Sequence, residues 1–319
     1  ESRERDKKMR KTLIKMIKNI KKIKKIKKKM TELMSLSVLL PLAVALLLFQ
    51  VTLAMAEPVL EAPSEVRLGQ PFVIKVKAAG EEPTGATLTW LGREARLLPE
   101  KDGSFSALLG TDFKKERPKE GTLTVTIRLA DGRKSTVSRR LRIAPYSYPS
   151  ENIKVEKAKL NPPKELARRI EKEAALGRAA LATSTEGRAP KLPLVRPVPG
   201  VLTSVYGKSR YFNGEFRGRH GGVDMRAKEG TPVKAAADGT VVLAGSFWFA
   251  GNCVYIDHGA GFITFYCHLS RLSVRNGESV KAGEVLGFSG KTGRVTGPHL
   301  HFSTIWRGQF FDPAAIMEK

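Results

Sequence analysis

The five histidines of this chain are crowded into one part of its sequence. The first 219 of the 319 residues contain none, and all five lie in the last third. They are His220, His258, His268, His299 and His301. Imidazole binds transition metals and exchanges protons near neutral pH. A cluster of this kind therefore indicates a metal-dependent or acid–base site.

Two of these residues, His299 and His301, lie two positions apart in a segment with strand character. Alternate residues of a strand point to the same face. Both rings can then reach one metal ion, or one can bind the metal while the other transfers protons. A turn at Gly297-Pro298 precedes them and is expected to present the strand beside a cleft. A His-x-His pair alone also occurs by chance.

A second pair, His220 and Asp224, flanks two consecutive glycines, Gly221 and Gly222. Paired glycines disfavour a helix. This excludes the helical metalloprotease pattern, in which two histidines share one helical face with a glutamate. A mixed set of histidine and aspartate ligands suits a borderline metal such as zinc.

Three segments together carry a resemblance to a known family. They are His220-Gly-Gly-Val-Asp224, Tyr266-Cys-His268-Leu269 and Gly297-Pro-His299-Leu-His301-Phe302. In order and approximate spacing they resemble the lysostaphin/LytM-type zinc metallopeptidases, the M23 family. The resemblance covers residues 202–313 and says nothing certain about residues 57–200.

The resemblance implies that His220, Asp224 and His301 hold one zinc ion, Zn²⁺, per chain. It implies that His268 and His299 are the catalytic residues, which flank a metal-activated water and the scissile carbonyl. The activity implied is that of an endopeptidase cleaving peptidoglycan, in its cross-links or its stem peptides. The bond cleaved, the division of work between the two catalytic histidines and the oligomeric state stay open.

The alternative function is a non-catalytic one. Related domains that lack zinc ligands act as cell-wall-binding scaffolds or as regulators of wall amidases. None of the five site positions is substituted here, which favours the enzyme. Zinc needs neutral imidazoles, so we expect activity to fall below about pH 6.

Three further residues match family positions outside the catalytic motifs. His258 closes a strand, and the resemblance gives it a role in the fold. Asn252 and Tyr206 match positions near the cleft, where they shape the substrate groove or only pack.

The two cysteines, Cys253 and Cys267, are placed on the two arms of a predicted hairpin. A disulfide and two buried thiols both remain open. Cys267 precedes His268, so strand alternation predicts that Cys267 points away from the zinc. We therefore expect no cysteine nucleophile or ligand.

The net charge of +25 is unevenly distributed. Residues 1–33 hold 15 Lys/Arg and 4 acidic residues, a net charge of 15 − 4 = +11, whereas residues 34–56 hold no charge, which leaves 25 − 11 = +14. A basic start, an apolar run and Ala54-Met-Ala56 predict a secretory signal, cleaved or retained as a membrane anchor. We expect an exported protein of the periplasm or cell envelope, attracted to anionic envelope surfaces, with no nucleic-acid partner.

The fold class predicted is mainly β, in four parts. Residues 1–56 are the basic segment with its signal or anchor, and residues 57–144 form an all-β, sandwich-like module. Residues 145–200 are a Pro-rich connector with one helix, and residues 201–319 form a compact antiparallel β-sheet metallopeptidase domain.

Local patterns support this division. Residues 72–77 and the alternating apolar residues from Leu123 to Leu129 predict strands, with a hairpin turn at Asp131-Gly132. Asn161 is expected to cap a helix running from Glu165 to about Leu181. Five short β-rich runs between residues 239 and 302 alternate with glycine, which predicts tight turns.

Overall fold

The computed structural model describes residues 9–11, 13–31, 57–79, 82–112, 119–154 and 162–319. Residues 9–11 and 13–31 are helical and belong to one unit, whereas residues Glu57–Lys319 form a second compact unit. Within the described ranges, no helix is long and apolar enough to cross a membrane. The apolar stretch 34–56 and the predicted cap Asn161 lie outside the described residues.

Strands dominate the second unit, which confirms the predicted mainly β class. Residues 57–144 contain eight of them: β1 (Val59–Glu61), β2 (Glu65–Arg67), β3 (Phe72–Lys77), β4 (Pro83–Trp90), β5 (Arg93–Leu97), β6 (Ser104–Leu109), β7 (Glu120–Leu129) and β8 (Lys134–Ala144). One sheet has the order β2-β8-β7-β4-β5 and the other has the order β1-β3-β6.

The alternating residues of β7 explain how these two sheets pack. Leu123, Val125, Ile127 and Leu129 are buried, and the residues between them are partly exposed. The ring of Phe72, in the three-stranded sheet, lies 5.5 Å from that of Trp90 in the five-stranded sheet. The two sheets therefore bury apolar side chains against each other. The predicted strand at 72–77 is confirmed.

The following segment holds one short strand and one helix. β9 spans Ser150–Ile153, and a 3-10 turn at Lys164–Leu166 leads into α1, Ala167–Ala182. The predicted helix is confirmed, with its first turn tightened. Ala180 of α1 packs in the same buried cluster as Leu243 and Tyr255 of the C-terminal region.

The remaining twelve strands follow α1. They are β10 (Leu202–Ser204), β11 (Ser209–Phe212), β12 (Glu215–Arg219), β13 (Val223–Arg226), β14 (Pro232–Lys234), β15 (Gly239–Phe247), β16 (Gly251–Asp257), β17 (Phe262–Leu272), β18 (Ser279–Val280), β19 (Val285–Ser289), β20 (His299–Trp306) and β21 (Gln309–Phe311).

Ten of these strands form one sheet with the central order β10-β13-β20-β17-β16-β15-β18. Every pairing given for this sheet is antiparallel, as predicted. A smaller sheet, β12-β11-β9, lies beside it, and its β9 comes from the segment before α1.

Candidate metal centre

Strand pairing brings the first two candidate ligands together. Asp224 of β13 lies directly opposite His301 of β20, so the two side chains share one face of the sheet. His299 pairs with Arg226 at the start of β20 and is two residues from His301, so it lies on that face as well. The predicted shared face of the His-x-His pair is present in the structure.

Gly222 allows the backbone that carries His220 to lie close to β20, next to Asp224 and His301. A Cβ atom at position 222 would lie 2.2 Å from the carbonyl oxygen of Phe302 and 2.4 Å from Oγ of Ser303. Only glycine permits the backbone before β13 to press this closely on β20. The second of the paired glycines is therefore the one that the site geometry requires.

His268 reaches the same site through a break in strand pairing. It has a φ of +67°, unusual for a residue with a side chain, and the β16–β17 register shifts at this point. Its ring centroid lies 4.9 Å from that of His299 and 6.3 Å from that of His301. The bulge thus turns His268 towards the other histidines.

The same bulge makes the predicted direction of Cys267 wrong. Cys267 pairs directly with His301, so it stands on the face of the metal centre rather than on the opposite one. Both cysteines are free and buried. Burial raises the pKa of the Cys253 thiol to about 12 and that of Cys267 well above its ordinary value. The group of side chains that could hold a metal ion, among the residues that the structure describes, is His220, Asp224 and His301, and Cys267 is not part of it.

Three electron-pair donors converge at the centre. Nε2 of His220, Oδ1 of Asp224 and Nδ1 of His301 lie 2.9 Å from one another. Nδ1 of His220 donates to the Val205 carbonyl at 3.0 Å, and Nε2 of His301 lies 2.8 Å from Oγ of Ser303. Because these two outer nitrogens are bonded elsewhere, the inner nitrogens, Nε2 of His220 and Nδ1 of His301, point to the place where Oδ1 of Asp224 also points.

This donor set fits a divalent transition metal. Two imidazole nitrogens and one carboxylate oxygen are a ligand set of catalytic zinc sites, and bonded outer nitrogens are the usual support for metal-binding histidines. The three residues form a group that could hold a metal ion. Burial acts to raise the pKa of Asp224, but its hydrogen bonds with His220 and His301 outweigh burial and hold that pKa well below its ordinary value.

An arginine outside the group of three donors binds the carboxylate of Asp224. Arg210 of β11 donates from Nη2 to Oδ2 of Asp224 at 2.6 Å and from Nε to Oε1 of Glu151 at 2.7 Å. This occupies the carboxylate oxygen that does not face the histidines. Sequence reasoning did not find either residue, because Arg210 is one of 56 Lys/Arg and Glu151 lies in a distant segment.

The two candidate catalytic histidines are held by backbone carbonyls. Nδ1 of His268 donates to Thr292 at 3.0 Å, and Nδ1 of His299 donates to Gly297 at 2.9 Å. Nε2 of each ring is left for proton transfer. Burial, followed by the nearby His301 and His299, lowers the pKa of His268 to about 3, so its ring is neutral at neutral pH.

An open cleft leads to this centre. Asp224, His268 and His299 line it, and Lys154 and Arg294 stand at its walls. Neither of these two cations was predicted. Arg294 lies between Gly293 and Gly297, just before the strand that carries His299. A basic residue in such a turn is the feature of the sequence from which Arg294 could have been predicted.

The other matched residues serve the fold. Nδ1 of His258 donates to the Asp238 carbonyl at 2.7 Å, and its Nε2 lies 2.7 Å from Oγ1 of Thr264. Tyr206 is fully buried and donates to the Phe310 carbonyl at 2.6 Å. The side-chain amide of Asn252 donates to the Ser270 carbonyl at 3.0 Å. For Tyr206 and Asn252, these contacts favour packing over a role in the groove.

Comparison with known proteins places this region in a family. The family model described as Peptidase family M23 matches residues 218–313, which include all five candidate site residues. The chain is 48% identical over 90 residues to the peptidoglycan DD-endopeptidase ShyA of Vibrio cholerae, which covers 28% of this chain and 21% of that protein. It is 46% identical over 97 residues to the DD-carboxypeptidase/endopeptidase Mpg of Neisseria meningitidis, covering 30% and 22%.

These curated relatives are matched over about a fifth of their length. A solved structure is similar over a larger share. The putative peptidase M23 from Pseudomonas aeruginosa is 31% identical, with a TM-score of 0.58, and the match covers 77% of this chain and 92% of that one.

Proposed function

Because this chain belongs to peptidase family M23, we propose that it is a zinc-dependent endopeptidase that hydrolyses peptide bonds in peptidoglycan. The observation that carries the proposal is the convergence of His220, Asp224 and His301 on one point, with His268 and His299 beside it on an open cleft. One of these two relatives is named a peptidoglycan DD-endopeptidase and the other a DD-carboxypeptidase/endopeptidase, which supports the D,D-peptide cross-link as the bond cleaved.

Nε2 of His220, Oδ1 of Asp224 and Nδ1 of His301 would hold one zinc ion per chain. Zinc in such a site lowers the pKa of a water to about 7 and polarises a carbonyl group. Arg210 binds Oδ2 of Asp224 and so keeps Oδ1 directed towards His220 and His301. Ser303 and the Val205 carbonyl fix the orientations of the two rings.

His268 and His299 move protons. In each ring Nδ1 donates to a backbone carbonyl, which leaves Nε2 as the proton acceptor. The ring that takes a proton from the attacking water can return it to the leaving amine, as general acid–base catalysis requires. Their backbone partners hold both rings in the tautomer that presents Nε2, so no reorientation precedes the transfer.

We propose that the protein acts at the cell envelope, where peptidoglycan lies. The basic segment 1–33 and the apolar stretch 34–56 support export, as a cleaved signal or a retained anchor. Residues 57–144 are proposed as a separate module. The connector 145–200 contributes Glu151 and Lys154 to the surroundings of the cleft.

Release of muropeptides from purified peptidoglycan tests this proposal. The full chain is incubated with sacculi, with and without a chelator, and the products are identified by mass spectrometry. We expect conversion of cross-linked dimers to monomers that stops when the metal is removed. If the zinc-loaded protein binds sacculi but leaves every cross-link and stem peptide intact, it is a scaffold or regulator rather than an enzyme.

A further inference from the structure

The cleft carries more positive than negative charge. Lys154, Arg210 and Arg294 line it together with Asp224, the one carboxylate among its described lining residues. Arg210 is already paired with Asp224 and with Glu151 behind it. Lys154 and Arg294 have no ion pair with any residue in the part of the chain that the structure describes. Two cations that line the cleft are therefore left for a ligand.

Arg294 is held in place without being neutralised. Its backbone N–H donates to the Phe249 carbonyl at 2.9 Å. Its guanidinium carbon lies 4.5 Å from the ring centroid of Phe249 and 5.3 Å from that of Phe212. Aromatic rings attract a guanidinium and restrict its motion, but they leave its full charge and its N–H donors available.

The loop that carries Arg294 also orients a candidate catalytic ring. The Thr292 carbonyl accepts the Nδ1 proton of His268, and Oγ1 of Thr292 donates to the Leu269 carbonyl at 2.6 Å. Gly293, with φ +78°, packs its backbone closely against Gly251 and its neighbours. A group bound by Arg294 would therefore lie beside the proton-transferring side chains.

Two other arginines place positive charge near the Arg294 guanidinium. Burial, followed by the charges of Arg210 and Arg217, lowers the pKa of Arg294. A guanidinium nevertheless stays charged at any physiological pH. An anion placed against it would offset the nearby positive charges and accept its N–H groups.

We propose that Arg294, assisted by Lys154, binds a free carboxylate of the peptide substrate close to the scissile bond. The inference rests on the proposed peptidase function, because the anionic groups of a peptide are carboxylates. The planar guanidinium can donate two parallel hydrogen bonds to a carboxylate, which gives geometric selection as well as attraction. Arg294 would thus favour peptides with free carboxylates over peptides in which they are amidated.

Equilibrium binding separates this inference from catalysis. The full chain is kept in a chelator so that nothing is cleaved, and it is titrated calorimetrically with two synthetic cross-linked wall peptides. One peptide has free carboxylates and the other has all of them amidated. The variants are Arg294→Gln and Arg294→Lys. Arg271→Gln is the matched control, since Arg271 lies 3.8 Å from the Phe288 ring centroid but does not line the cleft.

We expect wild type and Arg271→Gln to prefer the free-acid peptide by roughly 10- to 100-fold, the range for a charge-assisted hydrogen bond. Arg294→Gln should bind both peptides equally, and Arg294→Lys should retain part of the preference. Equal binding of the two peptides by wild type, or an undiminished preference in Arg294→Gln, would overturn the inference. A clear preference in a zinc-loaded protein that cleaves neither peptide would contradict only the proposed peptidase activity.

Discussion

The contact between Gly222 and β20 allows a sharp test of how the metal centre is built. In Gly222→Ala, the new Cβ would lie 2.2 Å from the Phe302 carbonyl oxygen, whereas a carbon–oxygen contact needs about 3.3 Å. The backbone of β13 must then move from β20 by about 1 Å. Metal–ligand distances tolerate only about 0.2 Å, so Asp224 and His301 would no longer hold one ion together.

Gly221→Ala is the matched control, because its Cβ would meet only ring atoms of Phe310, the nearest at 3.3 Å. We expect Gly222→Ala to lose zinc, to cleave roughly 100-fold more slowly and to be destabilised by about 1–3 kcal/mol. Gly221→Ala should stay within about 1 kcal/mol of wild type and keep its zinc. Zinc content by atomic absorption, cleavage rates and denaturant unfolding measure the three effects. Equal zinc content and rate in the two variants would refute this account of the paired glycines.

Two further predictions concern residues that we assign to the fold. Tyr206→Phe removes the donor to the Phe310 carbonyl, so it should lower the free energy of unfolding by about 1–3 kcal/mol and leave the cleavage rate unchanged. A lowered rate at unchanged stability would instead place Tyr206 in the substrate groove. Burial lowers the pKa of His258 to about 4, below its value of about 6.5 in the unfolded chain, so its contribution to stability is lost as pH falls from 7 towards 4. Between pH 7 and pH 5, His258→Asn should lose about 2 kcal/mol less free energy of unfolding than wild type, with both proteins kept in a chelator. An equal loss in the two proteins would contradict a neutral ring at position 258.

The strands could be predicted because the alternation of apolar and polar residues involves only residues that are close together in the sequence. The alternation from Leu123 to Leu129 places one row of side chains in the core, and β7 shows that burial. The shared face of His299 and His301 follows from the same period of two. Both features depend only on neighbouring residues, which is why sequence reasoning predicted them.

The features that sequence reasoning missed depend on register and on contacts between distant segments. A bulge at His268 breaks strand alternation, so the side of the sheet on which Cys267 lies could not be read from its neighbour. The support of Asp224 by Arg210 and Glu151 joins three separate segments. No local pattern marks one arginine among so many basic residues as the partner of a metal ligand.

The expected fall in activity below about pH 6 stays a prediction. Burial lowers the pKa of His301 to about 4 and that of His268 to about 3. Both rings therefore remain neutral well below pH 6, the limit expected from unperturbed imidazole. A fall in activity near pH 6 would therefore come from groups other than these two rings.

The division between metal ligands and proton-transferring residues is tested most directly by two neighbouring substitutions on β20. His301→Ala and His299→Ala are compared for zinc content and for cleavage of cross-linked muropeptides. His301→Ala should lose both the zinc and the activity, whereas His299→Ala should retain one zinc per chain and lose the activity. Loss of zinc in His299→Ala, or its retention in His301→Ala, would contradict the assignment.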